Sequence, residues 1–198
     1  MFSDTSTTAL DTLAHERLGA VVDAMAGREP LPAAGAALAI GLSMAAALLA
    51  KAASAPRGGV PVDAPAEARA GRLRHDALRL ADEDAAAYRR VVAARLLGGD
   101  GERVRAALVQ AAEPPLAMAQ IGLKLARIAE SILDQVPLSL QGEVRAAAHL
   151  ACAGAMAAAD LVVIDIASEA DERSQHAAEL AREAASAAQA LAGRPLRC

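Results

Sequence analysis

Acidic side chains set among apolar ones at helical spacing are the residues of this chain best placed to do chemistry. In Leu80-Ala81-Asp82-Glu83-Asp84-Ala85-Ala86-Ala87-Tyr88, Asp84 lies four residues after Leu80, three after Ala81 and four before Tyr88. That spacing puts Asp84 on the inward stripe of a helix, which Val91 and Val92 continue. At 3.6 residues per turn, Asp82 and Glu83 are turned away from it by about 200° and 100°. Glu83 therefore flanks the stripe and Asp82 faces water. A carboxyl on a stripe that otherwise packs is where chemistry would show in a bundle of small side chains. The same placement suits a plainer task, capping or hydrogen-bonding a neighbouring helix beside the only tyrosine.

A second row of the same kind runs His149, Cys152 or Ala153, Met156, Asp160, then Val163-Ile164, and its spacing reads as an inward face. Asp160 and Asp165 bracket Leu161-Val162-Val163-Ile164, so one of the two must be partly buried, and a desolvated carboxyl has a raised pKa and can serve as a general acid near neutral pH. His149 on this face could shuttle protons or simply pack, and Met156 reads as core. Histidine and carboxylate do not recur at a ligand spacing, and no metal site is expected. Lys51 ends an apolar helix and Arg57 follows in a Gly/Pro loop. Together they could attract an anionic group, although a cation near a helix C-terminus is also ordinary. Gly35 and Gly41, six apart, permit close helix contact and form neither a phosphate loop nor a dinucleotide fingerprint.

The elements that must position these residues are helices. Of 198 residues, 55% are hydrophobic, yet there is one Phe, one Tyr and no Trp, and 56 residues are alanine. Pleated sheets need β-branched and aromatic side chains that are scarce here. The apolar fraction excludes disorder. A net charge of −4 gives no basic field for nucleic acid, and stacking aromatics are missing. Two cysteines, Cys152 and Cys198, make no disulfide framework, which fits a reducing, cytoplasmic setting. The residues from Met1 to Leu10 carry no secretory signal pattern. An uncharged stretch from Pro30 to Ala50 is long enough to span a bilayer, but its Ala and Gly gain little in lipid. A buried central helix accounts for it better.

Periodicity and breakers predict a first helix over about 8–25, closed by Gly27, and a second, nearly apolar all round, over 33–54. Gly58-Gly59 marks a loop. A long amphipathic helix follows over about 65–97, then one over 102–134 that Pro114-Pro115 bends or splits. Further helices are expected over 140–166, with an uncharged stretch at 146–159, and over 169–191, the last lying on the surface. The expectation is one domain over residues 1–198, an all-α bundle of about six helices with two apolar Ala-rich central ones.

The order of features resembles a known family. Pro30-Leu31-Pro32-Ala33-Ala34-Gly35-Ala36, a small-residue helix, Gly58-Gly59, Asp82-Glu83-Asp84-Ala85-Ala86-Ala87-Tyr88 and Ala111-Ala112-Glu113-Pro114-Pro115-Leu116 are similar to the cyclodeaminase/cyclohydrolase family. Its members are formiminotetrahydrofolate cyclodeaminases and methenyltetrahydrofolate cyclohydrolases. Where the family pattern reads Pro-x-Pro-Gly-Gly-Gly-Ser, two glycines are here Ala33 and Ala34, and the hydroxyl is lost at Ala36. Its Asn-Leu-Thr stretch aligns with Ser54-Ala55-Pro56, a later Ser-Asp aspartate with Glu143, and a pair of asparagines with Leu161 and Asp165.

The resemblance implies an all-helical homodimer with a folate site at helix termini near the dimer interface. Asp84 falls on the family's carboxylate position as general acid/base, with Glu143 or Asp165 assisting. Gly35, Ala36, Lys51, Arg57, Tyr88 and His149 are the expected substrate contacts, Lys51 or Arg57 standing near an anionic tail. The substrate is a tetrahydrofolate derivative, and no cofactor, nucleic acid or membrane is expected. A relative repurposed for another C–N cyclisation or hydrolysis, or a non-catalytic helical dimer, would share the same scaffold.

Overall fold

Alanine sets how closely the helices of this protein approach one another. The computed structural model describes residues 17–57, 59–96 and 101–194. Among them are seven helices: α1 (Leu18–Met25), α2 (Ala34–Ala53), α3 (Ala64–Leu96), α4 (Gly101–Ala111), α5 (Glu113–Ile132), α6 (Leu138–Ile166) and α7 (Glu172–Ala192). The count exceeds the expected six because Pro114-Pro115 splits one helix in two. Both prolines fall in the first turn of α5, where a missing N–H costs nothing. The start of the first expected helix, Phe2 and Cys198 lie outside the described residues.

Local signals place the ends. Asp63 caps α3, its Oδ1 accepting from the Ala66 N–H at 2.8 Å, and Asp171 caps α7 by accepting from the Arg173 N–H at 2.9 Å. Between α2 and α3 the chain makes a small antiparallel hairpin, β1 (Pro56–Arg57) with β2 (Val60–Pro61), Arg57 opposite Val60. Gly59 turns it at φ +88°, a region glycine enters without a Cβ penalty.

The two alanine-rich helices α2 and α6 stand at the centre. The first packs on α3, α5 and α6, the second on α2, α5 and α7. Leu42 and Leu49 of α2 and Leu125 and Ile132 of α5 are fully buried and supply the bulk. Each such side chain contributes about 2 kcal/mol by leaving water. Helices α5 and α6 approach closely at Gly122, where a Cβ would meet the Ala151 carbonyl oxygen at 2.7 Å and the Ala155 methyl at 2.8 Å. Both α2 and α6 have the length and composition to cross a membrane, and about half of each such stretch is buried inside the bundle.

One expectation needs correction. The row His149, Met156, Asp160 and Ile164 on α6 faces outward, Met156 and Ile164 being 51% and 69% exposed. Its inward row is Val144, Ala147, Ala151, Ala155, Ala158 and Val162. Close approach at Gly122 admits only small side chains, so the larger apolar ones are turned out. Helix α7 lies on the surface as expected, with Glu172, Gln175, Glu179, Arg182 and Glu183 exposed. It lays Ala177, Leu180, Ala184, Ala188 and Leu191 against α5 and α6.

Candidate active site

At the N-terminal end of α2, Asp84 meets the helix backbone. Gly35 sits in the first turn of α2, and a Cβ built on it would lie 2.1 Å from Asp84 Oδ2 and 2.3 Å from Cγ. No other residue admits the carboxylate here. Asp84 comes from the middle of α3, on the stripe that Ala81, Ala85 and Val91 hold against the bundle. Its carboxyl is more than half buried, and burial pushes its pKa above the ordinary aspartate range.

Asp165, in the last turn of α6, faces the same cleft. Burial first, and the negative charge of Asp84 second, push its pKa up to about 6, against a lowering by Arg95. Of the two aspartates that bracket the apolar run, Asp165 is half-buried and Asp160 exposed. The cleft holds about 310 Å³, and Leu31, Ala33 and Ala34 close one side while Leu161 and Ile164 close another. Tyr88 lies one turn after Asp84 on its wall, 40% exposed. Two like-charged carboxyls near one guanidinium titrate as a coupled pair, the charge of Asp84 making the Asp165 carboxyl harder to ionise.

Arg95 was not singled out from the sequence. Asp84, Tyr88, Val91 and Arg95 follow at steps of four, three and four, so extending the Asp84 stripe by two turns would have reached it.

The remaining expected site residues lie elsewhere. Ala36 is buried in the main core beneath the cleft floor. Lys51 stands 16 residues along α2 from Gly35, about 24 Å at 1.5 Å per residue. Its Nζ donates to Glu143 Oε1 at 3.0 Å, and this hydrogen bond draws the Glu143 carboxyl below its usual range. Arg57 donates to the Gln135 carbonyl oxygen at 3.3 Å at that same far end. His149 is exposed on α6, again about 24 Å from Asp165 along the helix. Among the described residues no three His, Cys, Asp or Glu side chains converge as metal ligands would.

The formiminotransferase-cyclodeaminase family model matches residues 17–186. The chain belongs to this family. Its fold is that of the crystal structure of formiminotetrahydrofolate cyclodeaminase from Thermotoga maritima, with a TM-score of 0.76 over 89% of this chain and 93% of that one. The two sequences are 22% identical. No curated protein matches the chain. The matched region contains the whole cleft, from Leu31 to Asp165, so the family scaffold and the carboxyl pair coincide.

Proposed function

We propose that the chain makes or opens a C–N bond at the one-carbon unit of a tetrahydrofolate derivative, as a cyclodeaminase or a methenyltetrahydrofolate cyclohydrolase, with Asp84 and Asp165 as its acid/base pair. The observation that carries this reading is the meeting of two desolvated carboxyls with Arg95 at one cleft. Both reactions pass through a tetrahedral carbon between two nitrogens. In the first, a folate nitrogen attacks the formimino carbon, a carboxylate takes its proton, and ammonia departs with a proton from the other carboxyl. In the second, water attacks the methenyl carbon and loses a proton to the carboxylate; one nitrogen then leaves as it is protonated, and the hydroxyl gives up its proton to solvent as the formyl carbonyl forms. A pair holding one proton serves both roles. Its negative charge also favours the cationic methenyl carbon, and Arg95 offers a planar fork to a substrate carboxylate.

This reading includes a homodimer, in a cytoplasmic setting and without a cofactor. The outer face of α2 and α6 exposes Met44, Leu150, Met156 and Ile164. A twofold contact on that face, with the two α2 helices antiparallel, brings the Lys51, Arg57 and Glu143 end of one protomer toward the cleft of its partner. Sedimentation checks it: the native chain runs as a dimer and Met156→Asp as a monomer, whereas a native monomer overturns the dimer.

Turnover is tested by the near-ultraviolet absorbance of methenyltetrahydrofolate, which decays faster with protein than in buffer and no longer does so with Asp84→Asn. An equal rate for the native protein and this variant overturns the assignment. A smaller imine or amidine substrate is a second reading, supported by the Ala33 and Ala34 methyls that narrow the cleft. Absence of folate binding in calorimetry would favour it.

A further inference from the structure

We propose that a second cleft, between α3 and α5, binds a phosphate monoester with an apolar body. The two helices offer the same pattern to it. From α3 come Arg69, Arg72, Leu73 and Asp76; from α5 come Lys124, Arg127, Ile128 and Ser131. Each set falls at i, i+3, i+4 and i+7, one face of a helix, with two cations, an apolar residue and a short polar one in the same order. Two facing stripes of this kind flank an open cleft of about 460 Å³, the size of a small-molecule site.

The charges in this cleft are largely unspent. Arg127 is paired with Glu183, and Asp76 stands 3.8 Å from Arg79, which lies outside the cleft and offsets its repulsion of an anion. Arg69, Arg72 and Lys124 have no acidic partner among the described residues. Four cations against one carboxylate stand out in a chain of net charge −4. Guanidinium forks match phosphate oxygens in pairs, and a phosphate monoester carries nearly two charges at neutral pH. Between the two cationic rows, Leu73 and the buried Ile128 form an apolar floor, which suits an organic body and gives free phosphate nothing to cover.

This cleft is separate from the carboxyl pair. Arg72 precedes Asp84 by 12 residues, about 18 Å along α3 and about 120° around it. Ligand binding here therefore does not depend on the proposed folate chemistry, and the two fail independently.

Calorimetry with phenyl phosphate, inorganic phosphate, benzoate and phenol on the full chain tests the proposal. Phenyl phosphate is expected to bind tightest, inorganic phosphate and benzoate more weakly, and phenol not at all. The double variant Arg72→Glu, Lys124→Glu should weaken phenyl phosphate by at least about tenfold, the loss of one charge-assisted contact. Asp84→Asn should leave its affinity unchanged. In the unaltered chain, the Leu73 and Ile128 methyl resonances should shift on titration with phenyl phosphate while that of Ile164 stays still, a readout that holds even where the double variant fails to fold. No binding at millimolar phenyl phosphate, benzoate binding as tightly, or shifts confined to other methyls would overturn the proposal.

Discussion

The two ends of α2 carry carboxylates in opposite circumstances. At the N-terminal end, Asp84 rests on Gly35 beside Asp165, and burial lifts both toward the protonated form. At the C-terminal end, the half-buried Glu143 is tied to the exposed Lys51, and this hydrogen bond holds it in its ionised form. The same functional group is drawn toward its protonated form at one end and held ionised at the other by solvent access and by the sign of its neighbour's charge. A charged residue near a helix end is thus no guide to chemistry until its desolvation is known.

The largest expected effect comes from removing the titrating group that sits on glycine. Asp84→Asn keeps the shape and loses the proton, so turnover should fall by about 10²–10⁴, the usual worth of a positioned acid/base. Circular dichroism should show the helices intact, and a rate near that of the native protein would erase the contrast between the two ends. Next comes Gly35→Ala, whose methyl occupies the place of the Asp84 carboxylate. Displacing that group should lower turnover sharply and cost about 1–3 kcal/mol in stability, as overpacking does. Chemical denaturation measures the second figure.

A smaller effect, in stability and pH dependence, belongs to Asp165. Its carboxyl titrates near 3.8 when unfolded and at about 6 in the folded chain, so the folded state binds the extra proton between these values. Stability from this group is therefore fully present below about pH 4 and is lost as pH rises through 6. Asp165→Asn, which cannot ionise, should be more stable than the native chain at pH 8, by about 1 kcal/mol after allowing for its partial exposure. The two should match at pH 4, and thermal melts at both values decide. Equal melting points at pH 8 would remove the desolvation on which the comparison rests.

The smallest effect is expected from Glu143→Gln, because an exposed ion pair contributes little. The melting temperature should not move measurably. Turnover distinguishes two geometries: a loss approaching that of Asp84→Asn would mean that a second protomer brings the far end of α2 to the cleft, and an unchanged rate would keep the two ends apart.

Much of this was readable beforehand, and the exceptions share a cause. The helices, the break at Pro114-Pro115 and the inward position of Asp84 followed from periodicity, because α3 alternates charged and apolar faces clearly. On α6 the pattern failed. With alanine on nearly every side, hydropathy could not tell which stripe was inward, and His149 and Met156 were assigned to the wrong face. Size decided there, since the contact at Gly122 accepts methyl groups and excludes methionine. Lys51 and Arg57 stand at the end of α2 and in the loop after it, as their spacing predicted, but spacing along one helix says nothing about which end of the bundle another helix reaches. Arg95 was within reach of the Asp84 stripe and was overlooked.

By itself the sequence determined an all-helical chain, the place of its breaks, its family resemblance and the place of Asp84 on the inward stripe of its helix. These depend on local propensity, residue size and order along the chain, which need no folded partner to be expressed. Only the tertiary structure decided that Asp165 rather than Asp160 or Glu143 stands with Asp84, that Arg95 joins them, and that cations from α3 and α5 share a second cleft. The reason is physical: desolvation and charge coupling act through space between helices distant in sequence, and they arise only when close packing brings those helices together.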